Sequence, residues 1–352
     1  MGRSTVYNDG LVTEAKWEQV SKQNKDLLKE FLDYCKASDK SPATRYQYEQ
    51  QLKIFFCYLY EKCDNKFFVD LKKRDLIKFS LWLQSDLKVS SSRVSTLRSC
   101  ISSLSSYIEK VLDDEYPTFR NISSVIEISN REPVRDKTIM SQEEMQACLD
   151  ELVKQKKYQI ACYFALLVSS GMRKSEAIQM KLSFFEDKNK VLGGMFYLTP
   201  AIRTKGKGEK GKPLQKYIAV QLFQPYLNLW LEERKEKGIQ NEYLFVTYKD
   251  GNYVPAAVST VNSWANKIGK ITNLDYYNHS SRHFFTTYMK EHGFSDSYIQ
   301  TLVGWASLDM VRRYDDHTNE QQLEQGLDQL RAVFGTEQKE NGEEKNKDLK
   351  GD

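Results

Sequence analysis

A break in helical periodicity between residues 113 and 138 limits this chain to folds with two separate cores. On both sides of the break, apolar residues recur three or four positions apart, as in amphipathic helices. Within it, the segment DDEYPTFRNISSVIEISNREPVRDKT carries two prolines, scattered charge and no helical period. A length of 352 residues also exceeds what one compact core usually needs. We therefore expect two domains joined by a linker.

The pattern before the break predicts an all-helical domain over residues 22–116, with residues 1–21 as an N-terminal extension. Ser-Pro at positions 41 and 42 is a helix start signal, and apolar positions in the last helix alternate three and four apart. Four helices are expected, over 22–38, 41–62, 74–87 and 90–112.

The linker is predicted over residues 117–138 and a second domain over 139–335. Ser141 and Glu144 have the spacing of a capping box at its start. Residues 336–352 contain no apolar cluster and are expected to form a disordered, charged tail.

The second domain mixes helical and strand patterns. Helices are predicted over 142–155, 158–170, 256–269, 281–292, 295–303 and 319–333. Strands are expected in 193–203 and 216–221, joined by a hairpin loop, TKGKGEKGKPLQ, rich in glycine and lysine. The fold class is therefore α+β, mainly α, with a small antiparallel sheet in the second domain.

Charge, cysteines and hydropathy exclude several classes of protein. The net charge of +4 is too small to identify a nucleic-acid binder, so the placement of Lys and Arg has to decide. The six cysteines form no CxxC pair and have no nearby His, which predicts reduced core thiols. No signal peptide and no long apolar run are present, so we expect a cytoplasmic protein with no membrane partner.

Residues suited to chemistry occur in four short segments of the second domain. They are SSGMRKSEAIQMK with Arg173 and Glu176, the lysine-rich loop with Lys205 and Lys207, NHSSRHFFTTYMKEHG with His279, Arg282 and His283, and VGWASLDMVRRYDDHT with Trp305 and Tyr314. All four histidines of the chain lie between residues 279 and 317. Taken singly, each of these residues is more often a surface or core group.

Cleavage of a phosphodiester without a metal would use this combination of residue types. The planar guanidinium forks of Arg173 and Arg282 suit the charge that develops on phosphoryl oxygens. The Tyr314 hydroxyl could attack the phosphorus if a nearby histidine took its proton. A lysine on the hairpin could protonate the leaving oxygen.

In order and spacing, these residues resemble those of the tyrosine recombinase (phage integrase) family. The family pattern is Arg, Lys, His-x-x-Arg, His or Trp, and Tyr. Here Trp305 follows Arg282 by 23 residues and Tyr314 follows Trp305 by nine, both typical spacings. The resemblance covers about residues 22–335, and the helical first domain is similar to the family's SAM-like core-binding domain.

The resemblance implies a role for each matched residue. Tyr314 would form a 3′-phosphotyrosyl link to DNA and release a 5′-hydroxyl. Arg173 and Arg282 would clamp the scissile phosphate, and His279 would act as acid and base. Lys205 would be the general acid, although Lys207 fits nearly as well because the loop cannot be registered uniquely.

Three further residues support the implied site. Many family members have histidine where this chain has Trp305, and an indole N–H can donate one hydrogen bond but cannot shuttle a proton. Trp305 should therefore position and shield the phosphate. Glu176 would hold the arginines in place without contacting the phosphate, and His283 is assigned a structural role.

DNA binding by the first domain is implied at the starts of two helices, where N–H groups and side chains can meet phosphates. The candidate residues there are Thr44, Arg45, Ser91, Ser92 and Arg93, for which a solvated surface is an equal alternative. Lys207 of the lysine-rich loop is a further candidate for DNA binding. The family implies double-stranded DNA sites as partners and a homotetramer on two of them. Helix 319–333 would dock either on its own protomer or on a neighbour.

No cofactor is expected. Asp315, Asp316 and His317 are adjacent but point in different directions, so no metal site is predicted. The expected function is site-specific DNA recombination for a phage or mobile element, in a bacterial cytoplasm at the nucleoid. Two alternatives stay open: a type IB topoisomerase-like enzyme and a non-catalytic helical DNA-binding regulator.

Overall fold

The structure is a computed structural model that describes residues 10–128, 140–204, 206 and 211–314. The chain divides into two compact units, one of Met1–Asp136 with Arg203–Lys212 and one of Lys137–Ile202 with Pro213–Asp352. The finer domain bounds given above stay a prediction. Within the described ranges, no helix is long and apolar enough to cross a membrane.

The described part of the first unit contains five α-helices. They are α1 (Glu14–Gln19), α2 (Lys22–Ala37), α3 (Pro42–Lys62), α4 (Lys73–Leu81) and α5 (Ser91–Val111). Ser21, Ser41 and Ser90 start α2, α3 and α5, and each hydroxyl accepts from the backbone N–H three residues on. These caps satisfy N–H groups that have no partner inside the helix. The four predicted helices are present, and α1 is an addition to the prediction.

One difference concerns the end of the third predicted helix. After α4 the chain continues as a π-helix over Trp82–Asp86 rather than as α-helix. Phe79, at the end of α4, packs on Phe55 with ring centroids 4.7 Å apart, in the centre of an aromatic core. The buried faces of α2 to α5 therefore close one hydrophobic core of their own.

The cysteines line the cores of both units as free thiols. All six are buried: Cys35, Cys57, Cys63, Cys100, Cys148 and Cys162. Burial raises the pKa of Cys57 to about 11 and that of Cys100 to about 12, so both thiols are protonated at neutral pH. The prediction of unpaired core cysteines is confirmed.

The second unit adds eight α-helices to the described part of the chain. They are α6 (Gln142–Lys154), α7 (Tyr158–Val168), α8 (Lys174–Ala177), α9 (Val220–Glu236), α10 (Val258–Thr272), α11 (Ser280–Glu291), α12 (Asp296–Val303) and α13 (Leu308–Tyr314). Helix α7 is apolar on all sides and packs against α6, α9 and α11. It is the central element of this core, as predicted.

Seven short strands accompany these helices. They are β1 (Lys190–Val191), β2 (Phe196–Leu198), β3 (Ile202–Thr204), β4 (Lys212–Leu214), β5 (Tyr217–Ala219), β6 (Val246–Lys249) and β7 (Asn252–Pro255). The first sheet has the order β1-β2-β5 and is antiparallel, with Phe196 opposite Ala219 and Leu198 opposite Tyr217. Pairs β3-β4 and β6-β7 form two further ribbons.

The predicted strand over 193–203 is two strands. Pro200, which has no N–H to donate, lies between β2 and β3. Residues Lys212–Leu214, assigned above to the loop, form β4 and pair with β3. The turn between them needs Gly211, because its φ is +63° and a Cβ there would lie 2.3 Å from the Thr204 carbonyl oxygen.

Candidate active site

A sharp turn after α7 places Arg173 at the start of α8. Gly171 adopts a φ of +58°, and a Cβ there would lie 2.9 Å from Cδ1 of the buried Phe285 ring, so the turn requires glycine. The backbone N–H of Arg173 donates to Glu176 Oε2 at 2.8 Å, and its Nη1 contacts Glu176 Oε1 at 3.0 Å. The Arg173 guanidinium is thus anchored by Glu176 while its side chain stays partly exposed.

Glu176 is fully buried and lies among three cations. Its Oε2 atom is 3.3 Å from Lys216 Nζ and 3.8 Å from Arg282 Nη2. Burial alone would raise the pKa of Glu176, but Lys216, the Arg173 N–H and the two arginines together hold it below its usual value. Glu176 is therefore ionised at neutral pH and forms ion pairs with both arginines.

Lys216 is a member of this site that the sequence analysis missed. It directly precedes β5 and is 1% exposed. Its Nζ donates to the Val303 carbonyl at 3.0 Å, at the C-terminal end of α12. One signal was available, since the alternation of a strand puts Lys216 on the same face as the buried Ile218. Among the many lysines of residues 205–216, that signal is easily overlooked.

Arg282 lies on the first turn of α11 and is 0% exposed. Its Nε, Nη1 and Nη2 atoms have no hydrogen-bond partner among the described residues. The guanidinium carbon lies 5.3 Å from the centre of the Trp305 ring and 5.5 Å from that of Tyr314. Burial and the charge of Arg173 lower its pKa, yet an arginine remains charged at neutral pH.

His279 is the N-cap residue of α11, one turn before Arg282. Its pKa is lowered to about 4 by the protein atoms packed around the ring and by the charges of Arg282, Arg173 and Lys174. The His279 ring is accordingly neutral at neutral pH and can accept a proton.

Trp305 and Tyr314 lie beside the Arg282 guanidinium. Gly304 ends α12 with a φ of +73°, and Trp305 follows it. The Trp305 and Tyr314 rings are stacked, with centroids 5.1 Å apart and planes inclined by 19°. His283 packs edge-on against Tyr314 at 4.9 Å. The buried Nε1 of Trp305 has no hydrogen-bond partner among the described residues.

The structure brings together Arg173, Glu176, Arg282, Trp305 and Tyr314, with His279 and His283 beside them. Lys205 and Lys207 lie outside the described residues, as do Asp315, Asp316, His317 and the predicted helix 319–333. The choice between Lys205 and Lys207 therefore stays open.

The described candidates for DNA binding lie in the first unit, while Lys207 lies outside the described residues. Thr44 and Arg45 are in the first turn of α3, and Ser91, Ser92 and Arg93 are in the first turn of α5. Thr44 and Arg93 donate their backbone N–H groups to the cap hydroxyls of Ser41 and Ser90. Ser92 is exposed, while Arg45 and Arg93 are partly buried. Their role in DNA binding stays a prediction.

Two family models match the chain. The model of the phage integrase family matches residues 138–321, and that of the phage integrase N-terminal SAM-like domain matches residues 27–118. A protein of Bacillus subtilis (strain 168), the SPbeta prophage-derived recombinase-like protein YomM, is 32% identical over 268 residues. That match spans 75% of this chain and 76% of the relative.

Solved structures share the fold. The XerH site-specific recombinase bound to its palindromic difH substrate has a TM-score of 0.59 at 21% identity, over 89% of this chain and 90% of that one. The Tn1549 transposon integrase in complex with circular intermediate DNA has a TM-score of 0.64 at 16% identity, over 86% and 99%. The mainly helical α+β fold class is thus confirmed. On these matches, the chain belongs to the phage integrase family of tyrosine recombinases.

Proposed function

We propose that this chain is a site-specific DNA recombinase that cleaves and rejoins duplex DNA through a 3′-phosphotyrosyl intermediate on Tyr314. The observation that carries the proposal is the Arg282 guanidinium, which is buried beside the Tyr314 ring with no hydrogen-bond acceptor among the described residues. Buried donors nearly always have a partner. The non-bridging oxygens of a phosphodiester match a guanidinium fork and a neighbouring indole N–H.

Cleavage would proceed by transesterification. The Tyr314 oxygen attacks the phosphorus in line, its proton passes to neutral His279, and the bond from phosphorus to the 5′-oxygen breaks. Arg173 and Arg282 stabilise the charge on the phosphoryl oxygens, while Trp305 donates one hydrogen bond to them. Lys205 or Lys207 gives a proton to the departing 5′-oxygen.

Rejoining is the reverse reaction with a different strand. A 5′-hydroxyl attacks the phosphotyrosine and releases Tyr314, so one phosphodiester is exchanged for another. Because the tyrosyl ester retains the bond energy, the reaction needs neither ATP nor a metal. Glu176 and His283 would act only by holding the arginines and the tyrosine ring in place.

The partners we propose are two double-stranded DNA sites and three further copies of this chain. A homotetramer would bring two cleaved sites together, with helix 319–333 docked either on its own protomer or on a neighbour. Integration or excision of a phage or mobile element fits the prophage-derived relative. Such a reaction would take place at the nucleoid, in the cytoplasm of a bacterial cell.

A covalent adduct tests the proposal. A duplex would be selected by binding from a randomised pool and nicked so that the 5′-hydroxyl fragment diffuses away after cleavage. We expect a protein–DNA adduct with wild type, none with Tyr314→Phe, and a normal amount with Tyr217→Phe, a matched change in the same apolar cluster. Adducts would be read on a denaturing gel.

The outcomes separate the candidate functions. No wild-type adduct on a duplex that the protein binds would favour the DNA-binding regulator, and an adduct at a 5′ phosphate would overturn the stated polarity. A type IB topoisomerase would relax a supercoiled plasmid carrying one site but would not exchange strands between two sites.

A further inference from the structure

Lys216 is a buried ammonium group inside the site, and lysine is among the residues least often found fully buried. Its backbone is fixed by two hydrogen bonds to Thr199: Lys216 N–H donates to Thr199 Oγ1, and Thr199 N–H donates to the Lys216 carbonyl, both at 3.0 Å. Its Nζ then reaches two acceptors, Glu176 Oε2 and the Val303 carbonyl. The group is therefore oriented by its surroundings.

The distances around Glu176 show what Lys216 does to the local charges. The two oxygens of Glu176 receive the N–H and Nη1 of Arg173 at 2.8 and 3.0 Å and Lys216 Nζ at 3.3 Å. Arg282 Nη2 is farther away, at 3.8 Å, and forms an ion pair but no hydrogen bond with Glu176. Without Lys216, the carboxylate loses a competing cation that also repels Arg282. Arg282 can then move closer to Glu176, and attraction between opposite charges grows as their distance falls.

We propose that Lys216 is a positioning residue for DNA cleavage, which occupies Glu176 so that Arg282 remains available to the scissile phosphate. This inference rests on the function proposed above. Three positive side chains around one carboxylate leave the site with a net charge of two, opposite in sign to the single negative charge of a phosphodiester. Removing Lys216 removes one of these charges and lets Glu176 neutralise part of another.

Lys216 also bears on Trp305. The Val303 carbonyl is a C-terminal group of α12, where a cation is favourable. Gly304, between Val303 and Trp305, lies so close that a Cβ there would be 3.9 Å from Lys216 Nζ. Lys216 thus supports the turn that carries the indole. Both acceptors hold the ammonium inside the protein.

A double-mutant cycle tests the inference on the selected nicked duplex. Lys216→Met removes the charge and keeps an unbranched chain of similar length, and Glu176→Gln removes the carboxylate charge. With DNA saturated, we expect Lys216→Met to slow adduct formation by about tenfold or more, while DNA affinity changes by less than about threefold. In the Glu176→Gln background, Lys216→Met should alter the rate of adduct formation by less than about threefold.

Each result decides the question. A Lys216→Met rate equal to wild type, or equal losses in both backgrounds, would show that Lys216 does not act through Glu176. If Lys216→Met fails to fold, the double variant of Lys216→Met and Glu176→Gln is compared with Glu176→Gln alone. Neither of these two proteins contains the buried carboxylate charge of Glu176. A double variant that is far slower, or unfolded where Glu176→Gln is folded, overturns the inference.

The wild-type and Tyr314→Phe reactions run beside the cycle keep the two proposals distinct. Absence of a wild-type adduct is a failure of the proposed function. A tyrosine-dependent adduct that is insensitive to Lys216→Met is a failure of the present inference alone.

Discussion

At the scale of single residues, the site is defined by donors that have no acceptor among the described residues. Arg282 and Trp305 both bury such donors, but a guanidinium adds charge and a fork of N–H groups, whereas an indole offers one neutral N–H. Sequence spacing singled out both residues. It could not identify Lys216, because nothing in a lysine-rich segment marks one member as buried except its alternation with Ile218.

Substitution of these two donors should have unequal effects. Trp305→Phe keeps a ring stacked on Tyr314 and removes one neutral donor, so we expect adduct formation to slow by about tenfold. Arg282→Lys keeps the charge but loses the fork, and we expect a loss of about 10²–10³-fold. Single-turnover rates at saturating DNA measure both, with thermal melting as the control for folding. Equal losses would contradict the assignment of Trp305 to positioning alone.

At the scale of elements, local signals predicted most helices and left specific gaps. Serine caps and apolar spacing located α2, α3 and α5 to within one or two residues. Helix α9 was not predicted; it contains Pro225, a residue type that usually interrupts a helix. Strand β4 was hidden in a segment rich in glycine and lysine. The buried residues Phe223, Leu227 and Trp230 of α9 do follow a helical period, whereas β4 depends on its pairing with β3, which periodicity does not encode.

The turn between α7 and α8 should be intolerant of any side chain at Gly171. Gly171→Ala adds left-handed backbone strain and a contact of 2.9 Å with the buried Phe285 ring, so we expect a loss of about 3 kcal/mol in the free energy of unfolding. Gly293→Ala is the matched control: its φ is +79° with no atom within 4 Å, and we expect about 1 kcal/mol. Urea unfolding measures both. Equal losses would mean that Phe285 gives way.

At the scale of the whole molecule, the two units carry different parts of the proposed function. Among the described residues, the groups proposed for chemistry lie in the second unit and those proposed for DNA binding lie in the first. A net charge of +4 does not point to this division; the proposal rests on the two family matches and on the placement of arginines. The DNA sequence that is recognised depends on base contacts that neither composition nor periodicity encodes.

Arg93 tests whether the first unit binds the DNA backbone independently of chemistry. Arg93→Ala should weaken binding to the selected duplex and reduce the slope of log affinity against log salt concentration by about 0.9, the value for one phosphate contact. Lys110→Ala, in the last turn of the same helix α5, is the matched control and should change neither quantity. At saturating DNA, the adduct rate of Arg93→Ala should stay within about twofold of wild type, because phosphate contacts position a protein without performing its chemistry. If Arg93→Ala and Lys110→Ala affected binding equally, the DNA would lie elsewhere on the first unit. A slower adduct rate of Arg93→Ala at saturating DNA would show that Arg93 takes part in the reaction itself.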